Sequence, residues 1–286
     1  MSFDAEAYRR ASREGWEAAA SGWTRQQEQI RRFAAPVAEW LVDAVCPQPG
    51  QRVLELAAGL GEAGMLAAEL VAPLGGVVVS DQAEAMLEGA RARALELGLS
   101  NVEFQVLNAE WIDLPLASVD AVLCRWGYML LADPQAALAE TRRVLRPGGR
   151  LALAVWDALA LNPWALLPAQ ELIERGLAPP PDPRAAPPPG PFALGEPARV
   201  RELLEQTGFA EVRVDAIDLC RRQASFAEFW EATLDLSRGF HDAVLSRPAG
   251  EIAEIEASLA ARFEPYTRAD GALEIPARTL VASASA

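Results

Sequence analysis

Residues 52–81 constrain this chain more than any other stretch. Val53-Leu54-Glu55-Leu56-Ala57 is an apolar run short enough for a buried strand. A turn of small residues follows, Ala58-Gly59-Leu60-Gly61-Glu62-Ala63-Gly64, and leads into the helical pattern Met65 to Val71. Beyond Gly75-Gly76 a second apolar run, Val77-Val78-Val79-Ser80, ends at Asp81. Strand, glycine turn, helix, strand and acid make up the first half of a doubly wound, nucleotide-binding sheet. Glycine lets a ligand approach the backbone because no Cβ intervenes, and an acid at the tip of the second strand accepts hydrogen bonds from ribose hydroxyls. Gly59-x-Gly61-x-x-Gly64 is a weak signal alone. The flanking strands and an acid twenty residues beyond Gly61 strengthen it.

The alternation of strand and helix continues downstream. A helix from about Ala83 to Leu97 is closed by Gly98. Strands are predicted over Val102–Leu107 and Val119–Cys124. Asp133-Pro134 opens a helix that closes at Leu145-Arg146, and Pro147-Gly148-Gly149 turns into a strand from Arg150 to Trp156. This spacing implies a parallel sheet. Upstream, residues 4–46 read as two helices, and Trp16 and Trp23 either pack that arm onto the domain or cover the pocket. After Trp156 the regularity breaks. Residues 160–177 look helical, and the eight prolines of 179–191 make a stiff surface connection or lid margin. A helix over 197–207, a strand over Ala210–Leu219, two helices filling 225–264 behind the capping box Ser225-Phe226-Ala227-Glu228, and a last strand over Thr279–Ser283 complete the reading.

Composition removes several classes of function. A net charge of −14 repels nucleic-acid phosphate. All 26 basic residues are arginine, so there is no lysine for a P-loop, a Schiff base or a Tyr-x-x-x-Lys pair. One histidine, His241, and three scattered cysteines give no metal-ligand cluster. Reduced, buried cysteines, the absence of an eighteen-residue apolar run and a charged N-terminus lead to the expectation of a cytoplasmic chain without a membrane span or signal peptide.

The choice of nucleoside cofactor turns on charge. A dinucleotide needs an anion cradle for its pyrophosphate at the helix N-terminus, and here Glu55 and Glu62 place two carboxylates beside it. They suit S-adenosylmethionine, which carries an ammonium and a sulfonium and no phosphate. Four motifs then carry a family resemblance: Val53 to Gly64, Val79-Ser80-Asp81 to Met86-Leu87, Asn108-Ala109-Glu110, and Asp120 through Arg143-Val144-Leu145-Arg146-Pro147-Gly148-Gly149. In that order they resemble class I S-adenosylmethionine-dependent methyltransferases, in the branch that holds the ubiquinone/menaquinone C-methyltransferases and many small-molecule enzymes.

The resemblance implies a Rossmann-like, doubly wound sheet of seven mostly parallel strands with an antiparallel final strand, N-terminal helices and a helical lid insertion. Three parts are expected: a helical cover over 1–48, a cofactor-binding core over 49–157, and the rest of the core over 158–286, with lid insertions at about 160–195 and 225–264. The turn containing Glu55, Ala57, Gly59 and Gly61 would wrap the methionine end of the cofactor. Asp81 would take the ribose hydroxyls beside Gln82, with Met86 nearby; Asn108, Ala109 and Glu110 would meet the adenine, and Arg125 would flank the methionine moiety. Ala57 stands where the family has its first glycine and Asn108 where it has aspartate; a methyl group at Ala57 is tolerable if φ stays negative.

Bland readings stand beside these: Asp81 as a helix N-cap, Arg125 as a surface ion-pair partner. Acceptor-side candidates are Trp23, Trp126, Tyr128 and Trp164, with core packing as the alternative; His241 reads as a solvated helix residue or a base. The expected activity is in-line methyl transfer to a small, apolar or aromatic acceptor, with C-, O- and N-methylation open. The alternatives are a nicotinamide-dependent oxidoreductase and a non-catalytic S-adenosylmethionine-binding protein. The oligomeric state is not legible.

Overall fold

The computed structural model describes residues 3–181 and 188–286. Seven strands form one sheet: β1 (Arg52–Glu55), β2 (Gly76–Asp81), β3 (Val102–Val106), β4 (Val119–Arg125), β5 (Leu145–Trp156), β6 (Ala210–Gln223) and β7 (Leu273–Ser285). Their order is β3-β2-β1-β4-β5-β7-β6. The five strands from β3 to β5 pair in parallel, and β7 runs antiparallel between β5 and β6. Val53, Leu54, Val77, Val78, Val79, Val122, Leu123, Leu151 and Val155 are all buried, as central parallel strands covered on both faces require.

Ten helices surround the sheet among the described residues: α1 (Ala5–Arg25), α2 (Gln27–Val45), α3 (Glu62–Val71), α4 (Glu84–Glu96), α5 (Pro134–Val144), α6 (Pro163–Glu174), α7 (Pro197–Gln206), α8 (Phe226–Leu236), α9 (Arg238–Leu245) and α10 (Ala249–Phe263). The Asp133 carboxylate accepts from the Ala136 amide and caps α5, and Ser225 Oγ accepts from the Glu228 amide and caps α8. A second apolar cluster, built on Phe229, Trp230, Phe240, Leu259, Phe263 and Ile275, binds α8, α9 and α10 to the start of β7.

Three boundaries differ from the sequence reading. Residues 225–264 hold three helices rather than two, because Ser237 and Pro248 interrupt the helical pattern. β6 runs on to Gln223, since the first half of β7 gives it a partner beyond Leu219. β7 begins at Leu273 and contains Pro276, which is tolerated because β5 ends opposite Thr279 and leaves that side of the strand unpaired. Within the proline-rich stretch, residues 182–187 lie outside the described residues.

Candidate functional site

The carboxyl ends of β1, β2 and β4 meet at a cavity of about 80 Å³, where ligands collect in doubly wound sheets. Its floor is the loop after β1. Leu56 N donates to the Leu123 carbonyl, Ala58 N to the Ser80 carbonyl and Gly59 N to a carboxylate oxygen of Asp81 at 2.9 Å. To make these bonds in succession the chain turns through left-handed conformations at Ala57 (φ 49°), Gly59 (φ 56°) and Gly61 (φ 80°). The condition of a negative φ at Ala57 is therefore not met. Its backbone adopts the glycine-like geometry, at a cost of about 1–2 kcal/mol for a residue with a Cβ.

Asp81 holds two segments at once. Its second carboxylate oxygen accepts from Ala83 N at 3.0 Å, so the side chain ties the glycine loop to the start of α4. Burial raises its pKa, and the amides of Ala83 and Gly59 oppose that rise. The N-cap position itself is Ala83, which has no capping side chain. The acceptor for the first turn of α4 comes from another helix: the Glu17 carboxylate of α1 accepts from the amides of Glu84 and Ala85.

α1 forms the outer wall. Trp16 and Trp23 pack edge to face at 5.4 Å and line the cavity with Met86, in a cluster that also contains Ala19, Ala20, Leu60 and Ala83. Gln82 Nε2 donates to Ser12 Oγ at 3.1 Å, and Tyr8 donates its hydroxyl proton to the Leu130 carbonyl at 2.9 Å. Arg9 donates to the Glu110 carboxylate, which also accepts from Ala132 N.

A charged layer lies on the inner side. Burial pushes Glu55 up to about 8, against the pull of Arg125 and of the nearby Gly64 and Ala63 amides. Among the described residues both Glu55 oxygens are buried without a hydrogen bond of good geometry, as are Nε and Nη1 of Arg125, Oε1 of Glu62 and Nε2 of Gln27. Glu62 is raised chiefly by burial and Arg125 is lowered by it. The Arg125 guanidinium also lies over the ring of Trp126, 4.9 Å from its centre.

Of the residues singled out from sequence, Ala57, Gly59, Asp81, Gln82, Met86, Asn108, Ala109, Arg125, Trp23 and Trp126 line this one cavity. Gly61 and Glu55 stand behind it. Asn108 turns its side-chain oxygen to its neighbour Glu110 N, and Glu110 faces Arg9 instead of the cavity. Sequence reasoning missed the contributions of Leu107, Leu130 and Leu131 to the lining. It also missed Arg9 and Glu17, polar residues on a solvated-looking helix with no local signal of their targets.

Comparison with known proteins decides the family. Residues 47–174 match the family described as "Methyltransferase domain". A nocamycin O-methyltransferase from Saccharothrix syringae is 35% identical over 187 residues, which cover 63% of this chain and 67% of that enzyme. The chain belongs to the S-adenosylmethionine-dependent methyltransferases. A ubiquinone/menaquinone biosynthesis C-methyltransferase from Pseudomonas fluorescens is 41% identical over 103 residues, 36% of this chain and 40% of that protein. The methyltransferase thus spans well under half the length of this second relative. In fold it is similar to the YcgJ protein from Bacillus subtilis, with a TM-score of 0.56 at 18% identity, covering 87% of this chain and 97% of that one.

The site of the methyltransferase fits the cationic, phosphate-free cosubstrate of its family. Glu55, Glu62 and Asp81 stand around the loop with one guanidinium, and among the described residues nothing donates to the Glu55 oxygens or to Oε1 of Glu62 at the N-terminal end of α3, the place a pyrophosphate would need.

Beyond Trp126 the methyltransferase continues as a row of rings. Trp126 stacks on Trp156 at 4.3 Å, and Phe33 of α2 lies 6.2 and 6.1 Å from the two. Trp164 follows at 4.9 Å from Trp156, and Phe192 at 6.1 Å from Trp164. Trp126 sits at φ 61°, held by its indole N–H donating to Thr279 Oγ1 at 3.0 Å. Tyr128, an acceptor-side candidate, is instead fully buried and hydrogen-bonded to Thr141 at 2.6 Å. The single turn after Gly127 points it inward under α5. His241 is on α9 beside Asp242, 3.0 Å away, and is not part of the cavity lining.

Proposed function

We propose that this chain transfers a methyl group from S-adenosylmethionine to a small apolar or aromatic acceptor placed against Trp126. The observation that carries the reading is the junction at residues 125–126. A polar pocket containing Asp81, Gln82 and Asn108 meets the row of aromatic rings there, so a donor on one side and an acceptor on the other come together at Trp126.

The glycine loop with Glu55 and Arg125 would hold the methionine end, Asp81 the ribose, and Asn108 and Ala109 the adenine. When bound, S-adenosylmethionine supplies the electrophilic methyl group, and transfer discharges the sulfonium. The residues of the chain contribute alignment and exclusion of water. Trp16, Trp23 and Leu131 close the cavity against solvent, and the fixed Trp126 ring orients the acceptor. An acceptor that is already nucleophilic needs no base.

α1 is a cover in this reading. A cavity of about 80 Å³ is small beside the roughly 300–1,000 Å³ of ligand pockets, so α1 moves outward to admit the cosubstrate. The described residues of the first segment, 160–181 and 188–195, would form the acceptor lid together with residues 225–264.

Titration calorimetry with S-adenosylhomocysteine tests the pocket. The wild type is expected to bind, and Asp81→Ala to bind at least about tenfold more weakly through loss of a hydrogen bond to a charged group. Equal affinity for the two proteins would remove Asp81 from the site.

A further inference from the structure

β6 carries a buried cation, Arg221, that no carboxylate contacts among the described residues. Arg221 is 8% exposed and Gln223, two residues on and on the same face of the strand, is 4% exposed. Among the described residues nothing accepts a hydrogen bond from Nη2 of Arg221 or from Nε2 of Gln223. The Arg221 guanidinium is stacked on the Phe229 ring, 4.9 Å from its centre, which fixes its plane and leaves its edge free. Burial depresses its pKa to about 10, with Glu228 the opposing carboxylate.

Glu228 does not neutralise Arg221 by contact. Its two oxygens accept from Gln29 Nε2 at 3.1 Å and from the Ala224 amide at 2.5 Å. The other proton of Gln29 Nε2 goes to Gln223 Oε1, which orients the Gln223 amide with its NH₂ unclaimed. Two donors, one charged and one neutral, are thus held by their neighbours with nothing to donate to. Buried donors in folded proteins are almost always satisfied, and an unpaired buried charge is among the most costly arrangements a fold carries.

The pair is joined to the aromatic row through α2, since Gln223 accepts from Gln29. Gln29 lies one turn before Phe33 on α2, about 6 Å along the axis, and Phe33 packs against Trp126 and Trp156. The carboxyl end of β6 extends past the level of Trp156, because Thr279 of β7 pairs with Trp156 on one side and with Ile217 on the other.

We propose that Arg221 and Gln223 bind a carboxylate on the acceptor, whose ring system lies along Phe33, Trp126 and Trp156. A guanidinium edge accepts a carboxylate in two parallel hydrogen bonds, and the amide of Gln223 supplies a third donor beside it. A carboxylate supplies Arg221 with the contacting anion that Glu228, committed to Gln29 and the Ala224 amide, does not provide. This assignment rests on the methyltransferase reading above and names the acceptor class for it: a planar aromatic acid, methylated at the end remote from its carboxylate.

The test uses the full chain saturated with S-adenosylhomocysteine and titrates 2-naphthoate and 2-naphthamide by calorimetry. The wild type is expected to bind the acid and to bind the amide at least about tenfold more weakly. Arg221→Met and Gln223→Leu should each weaken naphthoate at least about tenfold, while Arg222→Ala, on the opposite, exposed face of β6, leaves it unchanged. S-adenosylhomocysteine affinity should be the same in all four proteins, so its loss from the wild type would count against the cosubstrate site and not against Arg221. Thermal melting separates a recognition role from a structural one: Arg221→Met should melt at or above the wild-type temperature, because an unpaired charge has been removed. Failure of the wild type to bind naphthoate, equal binding by Arg221→Met, or a lowered melting temperature in both Arg221→Met and Arg221→Lys would overturn the proposal.

Discussion

The methyl group of Ala57 and the bare Cα of Gly127 are matched surfaces: a Cβ added at Gly127 would lie 2.6 Å from the Cβ of Ala57 and 2.6 Å from Sγ of Cys124. The loop after β1 and the turn after β4 touch there, directly beneath the cavity. Gly127→Ala should therefore destabilise the fold by about 1–3 kcal/mol, as overpacking at a rigid contact does. Ala57→Gly should be neutral or stabilising by up to about 1 kcal/mol, since relief of the left-handed strain is partly offset by the greater freedom of glycine in the unfolded chain. The double variant should recover part of the loss, with Cys124 retaining the rest. Urea denaturation of the four proteins closes the cycle, and strict additivity would mean that the two positions do not meet.

Glu55 makes stability depend on pH with a definite sign. Its folded pKa of about 8 stands above the ordinary 4.5, so between these values the folded chain retains a proton that the unfolded chain releases. Stability through this group falls as pH rises across that window and is level on either side. Glu55→Gln, fixed in the neutral form, should lose this fall and exceed the wild type in stability near pH 8. Denaturation midpoints across the window check it, and parallel profiles for the two proteins would show that Glu55 ionises normally.

Arg9 and Glu110 latch α1 over the cavity. Glu110 is only 6% exposed while Arg9 is 39% exposed, so Arg9→Ala leaves a largely buried carboxylate short of its partner and favours the lifted cover. Binding and release of S-adenosylhomocysteine should both quicken, with affinity reduced by less than about tenfold because Glu110 keeps the Ala132 amide. Stopped-flow tryptophan fluorescence, reported by Trp16 and Trp23, reads both rates; unchanged rates would place the barrier elsewhere.

Thr279 holds the Trp126 ring in place. Its hydroxyl accepts from the Trp126 indole and donates to the Val155 carbonyl at 2.7 Å. Thr279→Val removes both bonds and should cost about 1–3 kcal/mol in stability. It should also raise KM for the acceptor without changing affinity for S-adenosylhomocysteine. A loss of S-adenosylhomocysteine affinity would mean that Trp126 serves the other half of the site.

The sheet was legible because its information is local. Val53–Leu56 and Val77–Ser80 are continuous apolar runs, and Gly59, Gly61 and Gly98 mark turns by chain geometry alone. The cavity residues at strand tips, Asp81, Asn108 and Arg125, follow from the same pattern, since a doubly wound sheet presents its carboxyl ends together. What escaped was set by tertiary partners. The positive φ of Ala57 is imposed by three hydrogen bonds to neighbouring strands, against the preference of an alanine. Tyr128 read equally well as an acceptor-side ring or a core residue after β4, and its turn settles it in the core against Thr141. The extension of β6 to Gln223 depends on β7, fifty residues later in the chain, and with it went any sign that Arg221 would be buried.

The carboxylate of Glu17 completes the first turn of α4 from a separate helix, and this gives the arm a role beyond its own docking. When α1 is away, the leading amides of α4 have water as their acceptor in place of a fixed carboxylate, and the segment next to Asp81 loosens with them. Ordering of the arm and ordering of the wall around Asp81 are therefore one event. A protein trimmed of its first twenty-five residues would keep its sheet while the helix behind Asp81 frayed.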